Sequence, residues 1–283
     1  MPLTFAHPAA VLPLRRVLWL PGLVAGSVVP DMAYYLPLPA ALGSTHSVAG
    51  LVGIDLLLGV ALLSVGYAAL APVLALCPAP WRCRVGRPEL TAIGRPRPRA
   101  AALAVVSIVV GAATHLIWDA FTHTDGVVVR QWAPLREAVV GPHRVYNVVG
   151  YVSSLGGLLL VAVALARLGR SAGRRPGKAA AWPALPLAVR AAVLVGFAVA
   201  SVAGAVVALA DPVSQVSSYD WVRQLLIGGV QGVPAALAVH VIAWYAVAAA
   251  RAVHGRLARS VAGVGTTRPG SASASRHSAV WRR

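Results

Sequence analysis

Five long apolar runs are the feature that most constrains how this chain can fold. A helix needs roughly 20 mostly apolar residues to cross a bilayer, and runs of that length occupy residues 47–76, 100–123, 145–168, 185–210 and 224–250. Only 12% of the 283 residues are charged, against about 25% in an ordinary soluble domain. Because a backbone in lipid must satisfy its own hydrogen bonds, the sequence predicts an all-α, polytopic membrane helix bundle with five spans.

A sixth apolar segment, residues 17–29, is too short to span a bilayer. Pro21 and Gly22 also interrupt it, and proline disrupts the interior of a helix. We therefore expect an N-terminal broken helix or a re-entrant hairpin in addition to the five spans.

The distribution of charge predicts the topology. The chain has 25 Lys and Arg against 8 Asp and Glu, a formal net charge of +17. In a soluble protein this excess would indicate nucleic acid, but here the basic residues cluster between apolar runs, so we expect a lipid bilayer as partner and no nucleic acid. The basic stretches are residues 77–99, 170–182 and the tail after 250, and the mixed ones are 124–144 and 211–223. The positive-inside rule then predicts a multi-pass protein of the cell membrane with cytoplasmic basic loops and tail.

The same reading divides the chain into three parts. Residues 1–168 are predicted to form a membrane domain that carries the polar residues discussed next. Residues 169–252 add two further spans, and residues 253–283 are predicted to be a basic, disordered cytoplasmic tail.

Three ionisable residues in the span 100–123 require an explanation, because an Asp at the centre of a membrane helix costs about 2.5–3.5 kcal/mol on insertion scales. His115, Asp119 and His123 are spaced i, i+4, i+8. Neighbouring members of such a series share a helix face about 6 Å apart, so an imidazole and a carboxylate can reach one ion. The alternative is a His–Asp hydrogen bond that joins two helices without metal.

Other polar residues are predicted at the same level of the membrane. Asp31 follows Pro30 after the short apolar segment, His46 begins the first full span, and His7 joins them if residues 8–30 form a hairpin. The predicted metal ligands are therefore His7, Asp31, His46, His115 and Asp119. Nitrogen and oxygen ligands without thiolates are typical of hydrolytic zinc or dimetal sites, although each residue also has a separate explanation as a surface, turn or interface residue.

Three further polar residues are interpreted as structural. Asp55 lies nine residues after His46, which places it on the opposite side of an unbroken helix, so we expect a partner for it within the bundle. His143 lies in an outer loop and is expected to be exposed rather than an auxiliary ligand. His240, deep in the last span, is expected to make an interhelical hydrogen bond.

The polar segments resemble a known family. Phe5-Ala6-His7-Pro8, Pro30-Asp31, His46-Ser47 and the run from Thr114 to His123 resemble an uncharacterised family of bacterial multi-pass membrane proteins, the domain of unknown function 4184. The resemblance covers about residues 1–168.

A more distant similarity concerns chemistry. The order His, Pro-Asp, Thr-His-Ser and His-x-x-x-Asp is similar to that of inner-membrane metal-dependent hydrolases, and His-x-x-x-Asp to that of zinc phospholipases C and single-strand nucleases. This similarity implies the same five ligands. The chain departs from the hydrolase pattern at Ala33, where relatives have a second Asp, and lacks a His-Arg pair before Thr45. These departures imply one metal instead of two, or no catalysis.

Two functions follow from these patterns. The first is a metal-dependent hydrolase of phosphoester or lipid-linked substrates at the outer leaflet, with a divalent metal, zinc above all, and His123 as general acid/base. The second is a non-enzymatic transporter or scaffold in which the His/Asp cluster is a structural or proton-relay network.

Overall fold

The computed structural model describes residues 3–36, 45–84, 98–172 and 183–264 of the chain. The chain divides into two compact units, residues 1–240 and residues 241–283. In its described part the second unit is the C-terminal portion of the last helix. Residues 253–283 were predicted to be a disordered tail; of these, residues 253–264 continue the last helix, and the residues from 265 onward lie outside the described part of the chain.

The N-terminal segment is a series of short helices. A 3-10 turn at Thr4–Ala6 leads into α1 (Pro8–Val11), a second 3-10 turn at Leu12–Arg16, and α2 (Leu20–Val28). A third 3-10 turn at Val29–Asp31 and α3 (Met32–Tyr35) follow. A proline stands in the first positions of α1, α2 and two of the 3-10 turns, where its missing N–H is tolerated and where it prevents continuation of the preceding helix.

The remaining elements include the long helices. They are α4 (Val48–Val52), α5 (Ile54–Leu76), α6 (Ala79–Arg84), α7 (Pro98–Thr122), α8 (Val127–Gln131), α9 (Val145–Ala172), α10 (Leu187–Leu209) and α11 (Ser218–Val264). A small antiparallel hairpin, β1 (Ala138–Val140) and β2 (His143–Arg144), precedes α9 and turns at Gly141, whose φ is 53°. Within the described residues, five helices are long and apolar enough to cross a membrane, which confirms the predicted all-α polytopic bundle.

The segment from α1 to α2 is a hairpin that packs on α7. Helix α2 runs parallel to α7 at very short distance: a Cβ added to Gly26 would lie 2.0 Å from the carbonyl oxygen of Ile108, and one added to Gly111 would lie 2.3 Å from that of Leu23. At the far end of α2 the amide of Trp19 donates a hydrogen bond to Ser107 Oγ, at 3.0 Å. The chain therefore enters beside the C-terminal end of α7 and returns to that same end.

Contacts at the opposite end of the bundle join α5 to the last two spans. The amide of Leu185 donates to the carbonyl of Ala75 at 3.3 Å, and Arg190 Nε donates to that of Leu76 at 3.0 Å. His240 Nε2 lies 3.1 Å from the carbonyl oxygen of Pro72, which confirms the interhelical hydrogen bond predicted for His240. Asp55, at the N-terminal end of α5, is within electrostatic range of His115 near the C-terminal end of α7. The C-terminal end of α7 therefore lies at the end of α5 away from these contacts.

Candidate functional site

The last two turns of α7 supply the first part of the site. His115 Nε2 lies 3.1 Å from Asp119 Oδ2, one helical turn away, and both side chains are buried. His123 follows after one more turn, with its Nε2 3.5 Å from the same Asp119 oxygen. The i, i+4, i+8 spacing therefore places all three side chains together, as predicted.

The return of the hairpin brings Asp31 to these residues. Asp31 Oδ1 lies 3.4 Å from His115 Nε2, and its other oxygen accepts a hydrogen bond of 2.5 Å from Thr4 Oγ1. Burial by itself would raise the pKa of Asp31, but the adjacent side chains of His115, His46 and Thr4 hold that pKa well below its ordinary value. Asp31 is consequently a carboxylate whose Oδ1 faces the histidines.

His46 forms the open side of the site. Its Nε2 lies 3.4 Å from Asp31 Oδ1 and 3.6 Å from Asp119 Oδ2. The side chain is 30% exposed, whereas those of the other three residues that converge here are buried. His46 is therefore the most exposed of the four side chains.

These four residues form one group, which we call the metal cluster: Asp31, His46, His115 and Asp119. One ligand atom from each lies within 4.8 Å of the ligand atoms of all the others. A divalent metal ion therefore fits this donor set by position and by chemistry.

His7 lies at the wall of the metal cluster rather than within it. Its ring stacks on that of His115, with centroids 3.8 Å apart and an angle of 18° between the planes. Its Nε2 is 3.8 Å from Asp119 Oδ1. Both ring nitrogens are buried without a hydrogen-bond partner among the described residues, and burial lowers the pKa of His7 to about 4. His7 is therefore neutral at neutral pH, and its place as a fifth ligand remains a prediction.

The backbone carbonyl of Ser27 determines how His115 presents its ring. His115 Nδ1 lies 2.8 Å from this oxygen. Because a carbonyl only accepts, Nδ1 carries the hydrogen, and in the neutral ring the lone pair is on Nε2. Histidines that bind metals are commonly oriented by such a hydrogen bond from the other ring nitrogen.

Asp55 does not follow His46 along an unbroken helix. Gly53, with φ −104° and ψ −106°, separates α4 from α5, so the helical spacing between His46 and Asp55 does not hold. Asp55 is fully buried and close enough to interact electrostatically with His46 and His115. The partner expected for it in the bundle is not observed, since neither carboxylate oxygen has a hydrogen-bond partner in the described part of the chain.

Two cavities reach the site. One, of about 560 Å³, has His123 and Asp125 in its wall, and the other, of about 510 Å³, has Asp31 in its wall. His143 lines both and is half-buried, with its Nδ1 3.4 Å from the hydroxyl of Tyr151. His143 was expected to be exposed, but it is half-buried. It is not a member of the metal cluster.

Sequence reasoning did not single out Arg223, which lines the second cavity. The signal in the sequence was that Arg223 is the last residue of the mixed stretch 211–223, directly before the last apolar run. That signal alone does not distinguish a cavity residue from one at the membrane interface.

Comparison with known proteins identifies the family and no individual relative. A family model described as "Domain of unknown function (DUF4184)" matches residues 1–242. The match also covers α10 and the first half of α11, to which the sequence resemblance over residues 1–168 did not extend. No curated protein and no solved structure matches the chain.

Proposed function

We propose that this chain, which belongs to the DUF4184 family, is a metal-dependent hydrolase of phosphoester or lipid-linked substrates at the outer leaflet of the cell membrane. The observation that carries the proposal is the position of His115 between the carbonyl of Ser27 and two carboxylates. Its Nδ1 donates to Ser27, so in the neutral ring the Nε2 lone pair points at carboxylate oxygens of Asp119 and Asp31, at 3.1 and 3.4 Å.

Groups that all carry lone pairs repel one another unless a cation lies between them. His115 Nε2 and both Asp119 oxygens are buried, and none has a hydrogen-bond partner in the described part of the chain. A divalent metal ion supplies the cation and satisfies all these atoms. A protonated His115 is the alternative cation, and it corresponds to the structural or proton-relay network of a transporter or scaffold.

The separations of the donor atoms favour one ion. Neighbouring ligands of a tetrahedral zinc ion with bonds of about 2.0–2.2 Å lie about 3.3–3.6 Å apart. In the metal cluster the four His–Asp separations are 3.1, 3.4, 3.4 and 3.6 Å. Two imidazoles and two carboxylates also suit zinc.

A metal bound here would lower the pKa of a coordinated water toward about 7 and polarise a phosphoryl oxygen. His123 is suited to move the proton, because its Nε2 is beside Asp119 and its ring borders the cavity of about 560 Å³. Its Nδ1 is 3.8 Å from the exposed carboxylate of Asp125. A general acid/base needs this combination of contact with the site and access to the substrate.

The outer-leaflet location rests on charge and depth. The site lies at the end of α7 that leads into the mixed stretch 124–144, whereas the basic stretches follow α5 and α9 at the other end. By the positive-inside rule the site then faces outward, where a lipid-linked substrate arrives laterally through the membrane.

The test is the metal content of detergent-purified protein by elemental mass spectrometry. We expect near-stoichiometric zinc in the wild type. In His115→Ala and Asp119→Asn the metal content should fall, because the metal affinity should decrease at least as much as the roughly 10–100-fold caused by removing a residue that only orients a ligand. His254→Ala, which changes an exposed histidine on α11, is the matched control and should retain the metal. Thermal unfolding of each variant shows whether it is folded.

Hydrolysis is tested on the same samples with bis(4-nitrophenyl) phosphate and a panel of phosphoester lipids. Turnover should require both the metal and His123. A folded wild type that holds no metal even after reloading refutes the hydrolase and leaves the protonated network. Bound metal without turnover of any phosphoester refutes catalysis and leaves a metal site of structural function.

A further inference from the structure

The cavity of about 510 Å³ combines a polar end at the metal cluster with a mainly apolar wall. Thr4, Asp31 and Tyr35 form part of the polar end. The apolar wall consists of Leu3, Leu155, Val222, Leu226 and Ile227. Leu155 on α9 and Leu226 on α11 are half or more exposed on membrane-spanning helices. The apolar wall is therefore continuous with the lipid-facing surface of the bundle.

Arg223 lies in this wall, and within the described residues no ion pair includes it. Its Nε is buried and has no hydrogen-bond acceptor in the same part of the chain. Arginine remains charged in proteins, and a buried donor without an acceptor is costly, more so when it is charged. The position therefore favours an anion, and the planar guanidinium fork matches the oxygens of a phosphate.

One hydrogen bond joins the helix of Arg223 to the segment that carries Asp31. Gln231 Nε2, two turns after Arg223 on α11, donates to the backbone carbonyl of Tyr34 at 2.7 Å. Tyr34 lies three residues after Asp31 and also lines the cavity. An anion at Arg223 would thus be held within the same cavity that has Asp31 in its wall.

We propose that this cavity binds a phosphate-bearing lipid, with the phosphate on Arg223 and a hydrocarbon chain along the apolar wall. The inference rests on the proposed function, since it assigns the substrate class and a binding residue to the same site. Charge complementarity selects the headgroup: Arg223 attracts the phosphate, and the Asp31 carboxylate disfavours an anion at the far end unless a metal cation is present. The apolar wall selects a lipid over free phosphate, because burial of hydrocarbon stabilises only the lipid.

The experiment measures binding of hexadecyl phosphate to the full-length, detergent-purified protein by titration, with the metal content determined on the same samples. Hexadecanol lacks the charge and inorganic phosphate lacks the chain. The variants are Arg223→Gln and Arg223→Lys, and Arg130→Gln, which changes an exposed arginine of α8, is the control.

We expect Arg223→Gln to weaken binding about tenfold or more, the scale of a lost charge-assisted hydrogen bond, with Arg223→Lys in between and Arg130→Gln unchanged. Hexadecanol and inorganic phosphate should each bind at least tenfold more weakly than hexadecyl phosphate. Equal binding by Arg223→Gln and wild type overturns the role of Arg223, and equal binding of inorganic phosphate overturns the lipid.

The two proposals fail differently. If the protein binds metal and turns over substrate, but Arg223→Gln binds hexadecyl phosphate as tightly as the wild type, only the lipid-binding inference is overturned. Absence of metal from folded wild type overturns the proposed function, whereas a lipid affinity that still depends on Arg223 supports the binding site by itself.

Discussion

The close approach of α2 to α7 predicts that a single added methyl group disturbs the metal cluster. In Gly26→Ala the new Cβ would lie 2.0 Å from the Ile108 carbonyl oxygen, so the helices must separate by about 1.4 Å to reach the 3.4 Å of ordinary contact. Ser27, the next residue, accepts the 2.8 Å hydrogen bond from His115 Nδ1. A displacement of that size breaks the bond and releases the His115 ring from its orientation.

The expected cost is about 1–3 kcal/mol from overpacking and about 1 kcal/mol from the lost hydrogen bond, less about 1 kcal/mol gained by replacing glycine with alanine in a helix. Gly66→Ala on α5 is the matched control, because nothing lies within 4 Å of its added Cβ. Thermal unfolding should show a lower melting temperature for Gly26→Ala than for Gly66→Ala, and elemental analysis a lower metal content. Equal melting temperatures and equal metal in the two variants would refute the reasoning.

Two further predictions concern residues that lie near the metal cluster and are not members of it. Thr4→Val removes the hydrogen bond to Asp31 and should weaken metal binding about 10–100-fold in a titration with a competing chelator. Thr114→Val is the control, because the Thr114 hydroxyl donates within α7 to the carbonyl of Gly111, and it should leave the metal affinity unchanged. Equal affinities of the two variants would exclude an orienting role for Thr4. Asp55→Asn removes a buried, unpaired carboxylate and should raise the stability by about 1–3 kcal/mol with unchanged metal content. A loss of metal in Asp55→Asn would instead show that Asp55 contributes to ion binding.

The spanning helices were predictable because lipid imposes one strong requirement on length and composition. The predicted span 100–123 is observed as Pro98–Thr122, and 185–210 as Leu187–Leu209. The last helix, Ser218–Val264, extends beyond the predicted 224–250 at both ends, because a helix can continue past its apolar run into polar sequence.

Local periodicity was reliable only within an unbroken helix. It placed His115 and Asp119 together, since both belong to α7. It did not apply to Asp55, because the prediction assumed an unbroken helix and Gly53 breaks the helix between His46 and Asp55. Glycine is frequent in membrane helices and often serves close packing, so its presence in the sequence did not reveal the break.

The sequence by itself determined that this chain is a bundle of membrane helices and which ionisable side chains lie within it, because apolar length and polar exceptions are properties of single segments. Only the tertiary structure decided which of those side chains meet. The glycine contact of α2 with α7 brings Asp31 to His115, and it leaves His7 stacked beside the metal cluster. The packing of α11 adds Arg223 to the cavity of Asp31. Distances between residues remote in the chain depend on how helices pack, which spacing along one helix does not encode.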